Sequence, residues 1–268
     1  MHAACHPLAI RLRALSAEGP IVVAHRGDSR HHPENTLPAF AAAVKLGVHV
    51  QEFDVQASRD GVLFCLHDEN LDRTTNAART LGQGALIAQC DASQLRDLDA
   101  GSWKNASCQG ARVPELEQAL AVMLPQSMPM IEHKAGDAKL YAALLERLGL
   151  AERVLLQSFD WDFLRAARKL MPTLAIGLLG PDATDQISEH VLAAARELDA
   201  SFIHWHAPKV TADGVAAVHA AGLLLVTYTS DTQLAWSGGA QLGIDAICTN
   251  DPGAMLAAQH RGLLRRSS

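Results

Sequence analysis

Residues 128–170 read MPMIEHKAGDAKLYAALLERLGLAERVLLQSFDWDFLRAARKL. Within them, short apolar runs at 128–133 and 153–159 alternate with segments of helical spacing at 137–148 and 160–170. A strand reaches a parallel neighbour only through a crossover connection of a dozen or more residues, which is usually a helix. The stretch therefore predicts two successive βα units of a parallel sheet.

The same alternation runs through the whole chain. We predict eight strands, at residues 21–25, 49–55, 128–133, 153–159, 173–179, 201–205, 223–229 and 245–249. Helices are expected near residues 36–46, 114–124, 137–148, 160–170, 184–198, 211–221, 231–242 and 252–263. This number of βα units predicts an α/β fold, the closed (β/α)8 TIM barrel. With 268 residues, 49% of them hydrophobic, the chain can bury one large core, so we expect a single domain over residues 1–268.

One segment after the second strand interrupts the alternation. Residues 58–68, SRDGVLFCLHD, follow that strand after a tight Asp60-Gly61 turn, which is too short for a crossover. We expect this segment to return as a hairpin and to carry His67 towards the second strand. Residues 69–112 then form a small insertion, rich in polar residues and glycine, with helical signal only around 91–98. Long loops of this kind usually cover functional sites, so we place it over the barrel mouth.

Composition excludes several classes of protein. A net charge of −6 and a pI near 6.1 provide no basic field, so we expect no nucleic-acid partner. The five cysteines have no paired or zinc-like spacing, which favours a reducing compartment. Residues 1–20 lack the continuous apolar stretch of a signal peptide, and no run of about 20 apolar residues occurs. We therefore expect a cytoplasmic protein without membrane insertion; its oligomeric state stays open.

Acidic and basic side chains stand at the ends of the first three barrel strands, where barrel enzymes carry their catalytic residues. His25 ends the first strand, Glu52 and Asp54 lie on one face of the second, and Glu132 and Lys134 end the third. Three converging carboxylates are costly in a barrel unless a cation balances their charge. Oxygen ligands of this kind suit Mg²⁺ or Ca²⁺ better than zinc.

These groups together match the needs of phosphodiester cleavage. A divalent ion on the three carboxylates would bind a phosphate oxygen, with Arg26 and Lys134 on the other oxygens. Two histidines, His25 and His67, would serve as the acid–base pair, because their ordinary pKa lies near neutral pH. Phosphodiester cleavage is the reaction that uses all of these residues.

Two further stretches carry weaker predictions. In PENTLP (33–38), Asn35 or Thr36 is a suitable helix N-cap, and Glu34 is the residue predicted to reach the site. Trp205 stands between two histidines at the end of the sixth barrel strand. Because no third ligand accompanies those histidines, we predict a pocket wall there, with Trp205 contacting substrate, in preference to a metal site.

The chain resembles the glycerophosphodiester phosphodiesterase family, a branch of the phosphatidylinositol phospholipase C-like barrels. The resemblance rests on AHRGDSRHHPENTLPAF (24–40), QEFDVQASRDGVLFCLHDENLDRTTN (51–76), MIEHK (130–134), LLQSFD (155–160) and GIDAICTNDP (243–252), which occur in the order typical of the family. It implies hydrolysis of a small-molecule glycerophosphodiester to sn-glycerol 3-phosphate and an alcohol.

The resemblance also implies roles for individual residues. Glu52, Asp54 and Glu132 would hold the metal ion, and Arg26 and Lys134 would contact phosphate. Related barrels proceed through a cyclic phosphate formed by the neighbouring glycerol hydroxyl. On that scheme we assign His25 as the base and His67 as the acid, with the reverse assignment left open. Tyr228 stands where relatives often carry tryptophan at the pocket wall, which leaves the preferred headgroup open.

Three other functions compete with this one. A lysophospholipase D or sphingomyelinase D-like barrel would use the same groups on a lipid, but an aromatic content of 4% and the lack of a secretion signal disfavour it. A non-catalytic barrel that binds a phosphorylated metabolite would be expected to lack one of the histidines or carboxylates. A metal-dependent aldolase or isomerase would leave His67 without a task.

Overall fold

Nine strands form one sheet that closes on itself in the computed structural model, which describes residues 6–124, 126–180 and 186–265. They are β1 (Ile21–His25), β2 (Val50–Ala57), β3 (Leu63–Cys65), β4 (Met128–His133), β5 (Leu155–Ser158), β6 (Ala175–Leu179), β7 (Phe202–His206), β8 (Leu224–Tyr228) and β9 (Ala246–Thr249). The barrel closes because β1 pairs in parallel with both β2 and β9. All strands except β3 are parallel to their neighbours, so the predicted (β/α)8 TIM barrel is confirmed.

The helices that follow the parallel strands surround the barrel. The helices of the described residues are α1 (Pro7–Ser16), α2 (Leu37–Lys45), α3 (Ala77–Thr80), α4 (Ala92–Arg96), α5 (Leu116–Met123), α6 (Ala138–Leu148), α7 (Trp161–Leu170), α8 (Glu189–Glu197), α9 (Ala212–Ala220), α10 (Gln233–Leu242) and α11 (Pro252–His260). The helix predicted from residue 184 begins at Glu189, and residues 184 and 185 lie outside the described part. None of these helices has the length and apolar character needed to cross a membrane.

One helix, α1, was not predicted, because Arg11 and Arg13 interrupt its apolar pattern. It begins where the Leu8 N–H donates to the His6 ring, 3.1 Å away, and Pro7 occupies the first turn, where no N–H is needed. Its buried Leu8 and Leu12 pack with the residues that fill the barrel interior. The helix therefore stabilises the end of the barrel at which the strands begin.

Alternation along the strands separates the two faces of the barrel wall. On β2, Val50 packs in the interior, whereas Phe53 and Val55 pack against the surrounding helices. Each large apolar side chain buried there contributes roughly 1.5–3 kcal/mol to stability. Glu52 and Asp54 share the inward direction of Val50, since they are two and four residues from it. The packing that fixes β2 thus also fixes the direction of these carboxylates.

The segment after β2 returns as predicted. β3 pairs antiparallel with β2, with Val55 opposite Cys65, and the chain then enters residues 69–112. This insertion contains α3, α4 and short 3-10 turns at Ile87–Gln89 and Ala106–Cys108. Together with the residues that flank it, it forms an apolar cluster separate from those of the barrel, which includes Phe64, Leu66, Leu71, Ala77, Ile87, Leu95, Leu98 and Val113.

Candidate active site

Three carboxylates meet at the ends of β2 and β4. Glu52 and Asp54 lie on one face of β2, and Asp54 is in register with Glu132 of β4. An oxygen atom from each lies within 4.8 Å of the others, and all three side chains are buried. Burial, followed by the negative charges of its two neighbours, raises the pKa of Glu52 well above its ordinary value. Burial and Asp54 raise the pKa of Glu132 to about 7.

This acidic triad fits a divalent metal ion. Glu52 is only 1% exposed, and neither of its carboxylate oxygens has a hydrogen-bond partner among the described residues. A buried acceptor without a partner is destabilising, and a cation would satisfy both oxygens. The donor set consists of hard oxygens, as Mg²⁺, Ca²⁺ and similar ions require. The triad could therefore hold a metal ion.

The turn after β1 supports the triad from one side. Arg26 and Gly27 adopt left-handed backbone conformations, with φ of 57° and 79°. The Arg26 N–H donates to the Glu52 carbonyl over 2.7 Å, and a Cβ atom on Gly27 would lie 2.7 Å from the Ala39 carbonyl carbon. Glycine is therefore needed where this turn approaches α2 so closely.

Asn35 supports Asp54 directly. Its side-chain amide donates to the Asp54 carboxylate over 2.9 Å, and its side-chain oxygen accepts the Asp54 N–H at 3.3 Å. Of the two residues predicted as the N-cap of α2, Thr36 occupies that position. Asn35 instead adopts φ 57°, which asparagine tolerates better than most residues.

Two basic side chains flank the triad. The Arg26 Nε lies 3.0 Å from the Asp54 carboxylate, and the Lys134 Nζ donates to Glu132 over 3.0 Å. These ion pairs offset part of the negative charge and place two cations beside the space that a phosphate would occupy. Glu34, predicted to reach the site, accepts from Arg26 at 2.7 Å and from Arg73, so guanidinium groups occupy both of its oxygens.

His25 is held by two side chains that the sequence did not predict. Its Nδ1 lies 2.7 Å from the Asn250 side-chain oxygen, and the Asn250 amide donates to Asp231 over 2.7 Å. Because Asp231 fixes that amide, the Asn250 oxygen must face His25, and we assign the His25 proton to Nδ1. Burial, followed by the charge of Arg26, lowers the pKa of His25 to about 4. His25 is therefore neutral near pH 7, with Nε2 available to accept a proton.

His67 has a different environment. Its Nδ1 lies 2.6 Å from the Asp68 carboxylate, and its Nε2 lies 3.5 Å from the Lys134 Nζ. Hydrogen bonds from Arg73 are the largest cause of the Asp68 pKa falling to about 2, so Asp68 is charged at neutral pH. The Asp68 carboxylate beside His67 carries a full negative charge, whereas the Asn250 amide beside His25 is neutral. The two histidines thus differ in a way suited to one acid and one base.

Aromatic side chains stand at the ends of β5 and β8. The Tyr228 hydroxyl donates to the Gly180 carbonyl over 2.7 Å, and its ring lies 6.3 Å from that of Phe159 and 5.1 Å from that of His204. Phe159 is 48% exposed, so an apolar surface faces solvent close to Lys134, whose Nζ is 6.0 Å from the Phe159 ring centre.

The position of Trp205 contradicts the prediction that this residue lines the pocket. Its side chain is 0% exposed and packs in the cluster between the barrel wall and the helices. Phe202 packs in the barrel interior, and His204, two residues on, bonds there to Gln157 over 2.7 Å. Alternation then turns Trp205 outward. The ring is consequently buried between the barrel wall and the helices and does not line the barrel interior.

Comparisons with known proteins identify the family of the chain. The model of the glycerophosphoryl diester phosphodiesterase family matches residues 25–254. The chain belongs to this family. The match covers both histidines, the triad, and Lys134, and it agrees with the family predicted from the sequence. The prediction that the chain is an enzyme of this class is confirmed.

Individual relatives extend the match over most of the chain. The glycerophosphodiester phosphodiesterase of Caldanaerobacter subterraneus is 31% identical and covers 90% of this chain and 98% of its own length. An Oleispira antarctica phosphodiesterase, solved in complex with the product sn-glycerol-3-phosphate, superposes with a TM-score of 0.81 at 28% identity, covering 90% of this chain and 97% of its own. The structure of a glycerophosphodiester phosphodiesterase of Agrobacterium tumefaciens superposes with a TM-score of 0.77 at 28% identity, covering 89% of this chain and 99% of its own.

Proposed function

We propose that the protein hydrolyses glycerophosphodiesters to sn-glycerol 3-phosphate and an alcohol, with a divalent ion and an acid–base pair of histidines. The observation that carries the proposal is the buried acidic triad, with two unpartnered Glu52 oxygens, between His25 and Lys134. The Oleispira relative binds sn-glycerol-3-phosphate, which supports a substrate of this class. A Mg²⁺ or Ca²⁺ ion on Glu52, Asp54 and Glu132 would offset the charge that develops on phosphate.

In this mechanism His25 acts first as the base. Its Nε2 accepts the proton of the glycerol 2-hydroxyl, whose oxygen then forms a bond to phosphorus. The bond from phosphorus to the alcohol oxygen breaks, and His67 donates its proton to that oxygen. In the second step His67 takes a proton from water, water opens the cyclic phosphate, and His25 returns its proton to the glycerol oxygen. Both histidines end in their starting states.

The remaining residues bind and orient the substrate. Arg26 and Lys134 would contact the non-bridging phosphate oxygens, because each already lies beside a triad carboxylate. Tyr228 and the exposed Phe159 would form the wall against which the glycerol or the alcohol packs. Activity as a single domain in the cytoplasm, without a nucleic-acid partner, stays a prediction.

The test is release of glycerol 3-phosphate from glycerophosphocholine and glycerophosphoethanolamine with Mg²⁺, Ca²⁺ or EDTA. We expect metal-dependent turnover that His67→Ala lowers by at least about a hundredfold, the range for loss of a general acid. His260→Ala, at the exposed end of α11, is the matched control and should keep full activity. Absence of product with any ion would refute the proposal; lysophosphatidylcholine, run in parallel, would reveal the competing lipid activity.

A further inference from the structure

Arg73 joins the insertion to the barrel by ion pairs with two carboxylates. It lies in the insertion, yet its Nη1 and Nη2 donate to Glu34 of the loop after β1, over 3.1 and 2.8 Å. Its Nε donates to Asp68, which follows β3. All three guanidinium nitrogens are therefore engaged, and the planar group fits both carboxylates at once.

Each of these carboxylates also holds a residue of the proposed mechanism. Asp68 bonds to the His67 Nδ1, and Glu34 bonds to the Arg26 Nη1. Arg26 in turn contacts Asp54 of the acidic triad. An unbroken series of charged contacts thus runs from the triad, through Glu34 and Arg73, to His67.

His67 needs such support more than His25 does. His25 ends a barrel strand, whereas His67 lies beyond β3, and its side chain is 34% exposed. Apart from its ring contacts, its carbonyl accepts from Gln56 over 3.0 Å, which fixes the backbone but not the ring. Asp68 contacts the ring at Nδ1 over 2.6 Å and Lys134 contacts it at Nε2 over the longer distance of 3.5 Å, so Asp68 is the closer support. Without Arg73, Asp68 would face Glu34 with no cation between them. Groups at this distance from the reaction commonly change activity 10–100-fold through the residues they orient.

We propose that Arg73 is a positioning residue: by holding Asp68 it fixes the His67 ring with its proton on Nδ1 in the neutral state and directs Nε2 to the leaving-group oxygen. Arg73 does not touch the substrate. The proposal rests on the proposed function, in which His67 is the acid that protonates the leaving alcohol.

Two glycerophosphate diesters separate this role from a structural one. Glycerophosphocholine releases an alkoxide that needs a proton, whereas the p-nitrophenyl ester of glycerol phosphate releases a stable phenolate that does not. We expect Arg73→Ala to lower the single-turnover rate of alcohol release, which reports the first step alone, by on the order of 30-fold for glycerophosphocholine and by less than about threefold for the p-nitrophenyl ester. Arg73→Lys should recover part of the loss, because lysine keeps the charge but not the fork.

A double-mutant cycle with His67→Ala identifies the route of the effect. If Arg73 acts through His67, Arg73→Ala has no further effect on glycerophosphocholine turnover in the His67→Ala background. Arg59→Ala is the matched control, because Arg59 also ties the barrel hairpin to the insertion, through Asp91 at 2.9 Å, away from the site. It should leave both substrates unaffected. Additive losses, or equal losses on the two substrates, would overturn the proposal.

A second measurement decides the proposal even if the protein proves to hydrolyse neither ester, an outcome that would refute the proposed function alone. Ring ¹⁵N shifts of His67, assigned by their loss in His67→Ala, report which nitrogen carries the proton. We expect the Nδ1–H form in the parent at pH 8 and in Arg59→Ala, and a mixture of tautomers in Arg73→Ala. An unchanged His67 tautomer in Arg73→Ala would overturn the positioning role.

Discussion

Replacing Glu52 with glutamine should make the metal-free protein more stable while abolishing its metal response. Glu52 is buried, and neither of its carboxylate oxygens has a hydrogen-bond partner among the described residues. Glutamine has nearly the same shape but no charge. The substitution therefore removes an unfavourable charge without leaving a cavity.

The magnitude follows from the geometry. Two carboxylates within 4.8 Å repel by about 3.5 kcal/mol at an effective dielectric constant near 20, and Glu52 has two such neighbours. Arg26 offsets part of this repulsion. The destabilisation that Glu52 can cause has an upper limit, because the side chain can take up a proton instead of staying charged. From an ordinary pKa of 4.5, protonating Glu52 at pH 8 costs about 4.8 kcal/mol. We expect Glu52→Gln to raise the free energy of unfolding by about 2–4 kcal/mol in EDTA at pH 8.

The gain should depend on pH. Because the pKa of Glu52 is raised in the folded state, its contribution to stability is fully present below pH 4.5 and is lost as the pH rises. At pH 5.5 the ceiling falls to about 1.4 kcal/mol, so the advantage of the variant should shrink. Urea unfolding in EDTA at both pH values measures it. Glu146→Gln, on the exposed face of α6, should change stability by less than about 0.5 kcal/mol at either pH.

Added metal should make the parent more stable relative to the Glu52→Gln variant. Mg²⁺ or Ca²⁺ at a hundred times its dissociation constant stabilises the parent by about 2.7 kcal/mol, and Glu52→Gln should lack this response. A variant that is less stable than the parent in EDTA at pH 8 would refute the reasoning. So would an advantage that is as large at pH 5.5 as at pH 8.

Three further predictions concern the surroundings of the site. Gly27→Ala should lower the free energy of unfolding, measured in urea, by roughly 2–4 kcal/mol, since it adds a steric clash to left-handed strain. Gly47→Ala is the control and should lose only about half as much, because Gly47 has a similar φ of 78° but no atom within 4 Å of an added Cβ. Asn250→Ala should lower kcat by about 10–100-fold, because the His25 proton loses its acceptor; steady-state kinetics with unchanged metal affinity would check this. Burial lowers the pKa of His204 to about 3, so the free energy of unfolding of the parent should fall by about 1.4 kcal/mol per pH unit below 6.5 through this residue. The urea midpoint of His204→Gln should therefore fall less than that of the parent between pH 6.5 and 4.5.

The barrel and the acidic triad could be predicted because both follow from local periodicity. Period-two spacing puts Glu52 and Asp54 on one face whatever the rest of the chain does. Trp205 shows the limit of that rule. Parallel barrel strands are apolar on both faces, so their sequences do not say which alternate residues point inward. The position of Trp205 is decided by the packing of Phe202 in the interior, which only the closed barrel establishes.

Support from distant segments could not be predicted for a different reason. Asn250 contacts His25 across 225 positions of the sequence, and Arg73 contacts Glu34 across 39. Both occur in motifs that resemble the family, but a single polar residue gives no sign of its partner. The helix α1 was missed because its charged residues and its buried ones alternate over too few turns to show a clear pattern.

The insertion's separate core gives the two halves of the site different resistance to local unfolding. Its apolar residues lie between Phe64 and Val113 and form a cluster distinct from those of the barrel. The position of the triad depends on barrel closure, whereas those of His67 and Arg73 depend on the separately packed insertion and β3. Partial opening of the insertion would leave the carboxylates in place and displace His67, the proposed acid. We therefore expect heat or denaturant to abolish activity under milder conditions than those that unfold the barrel.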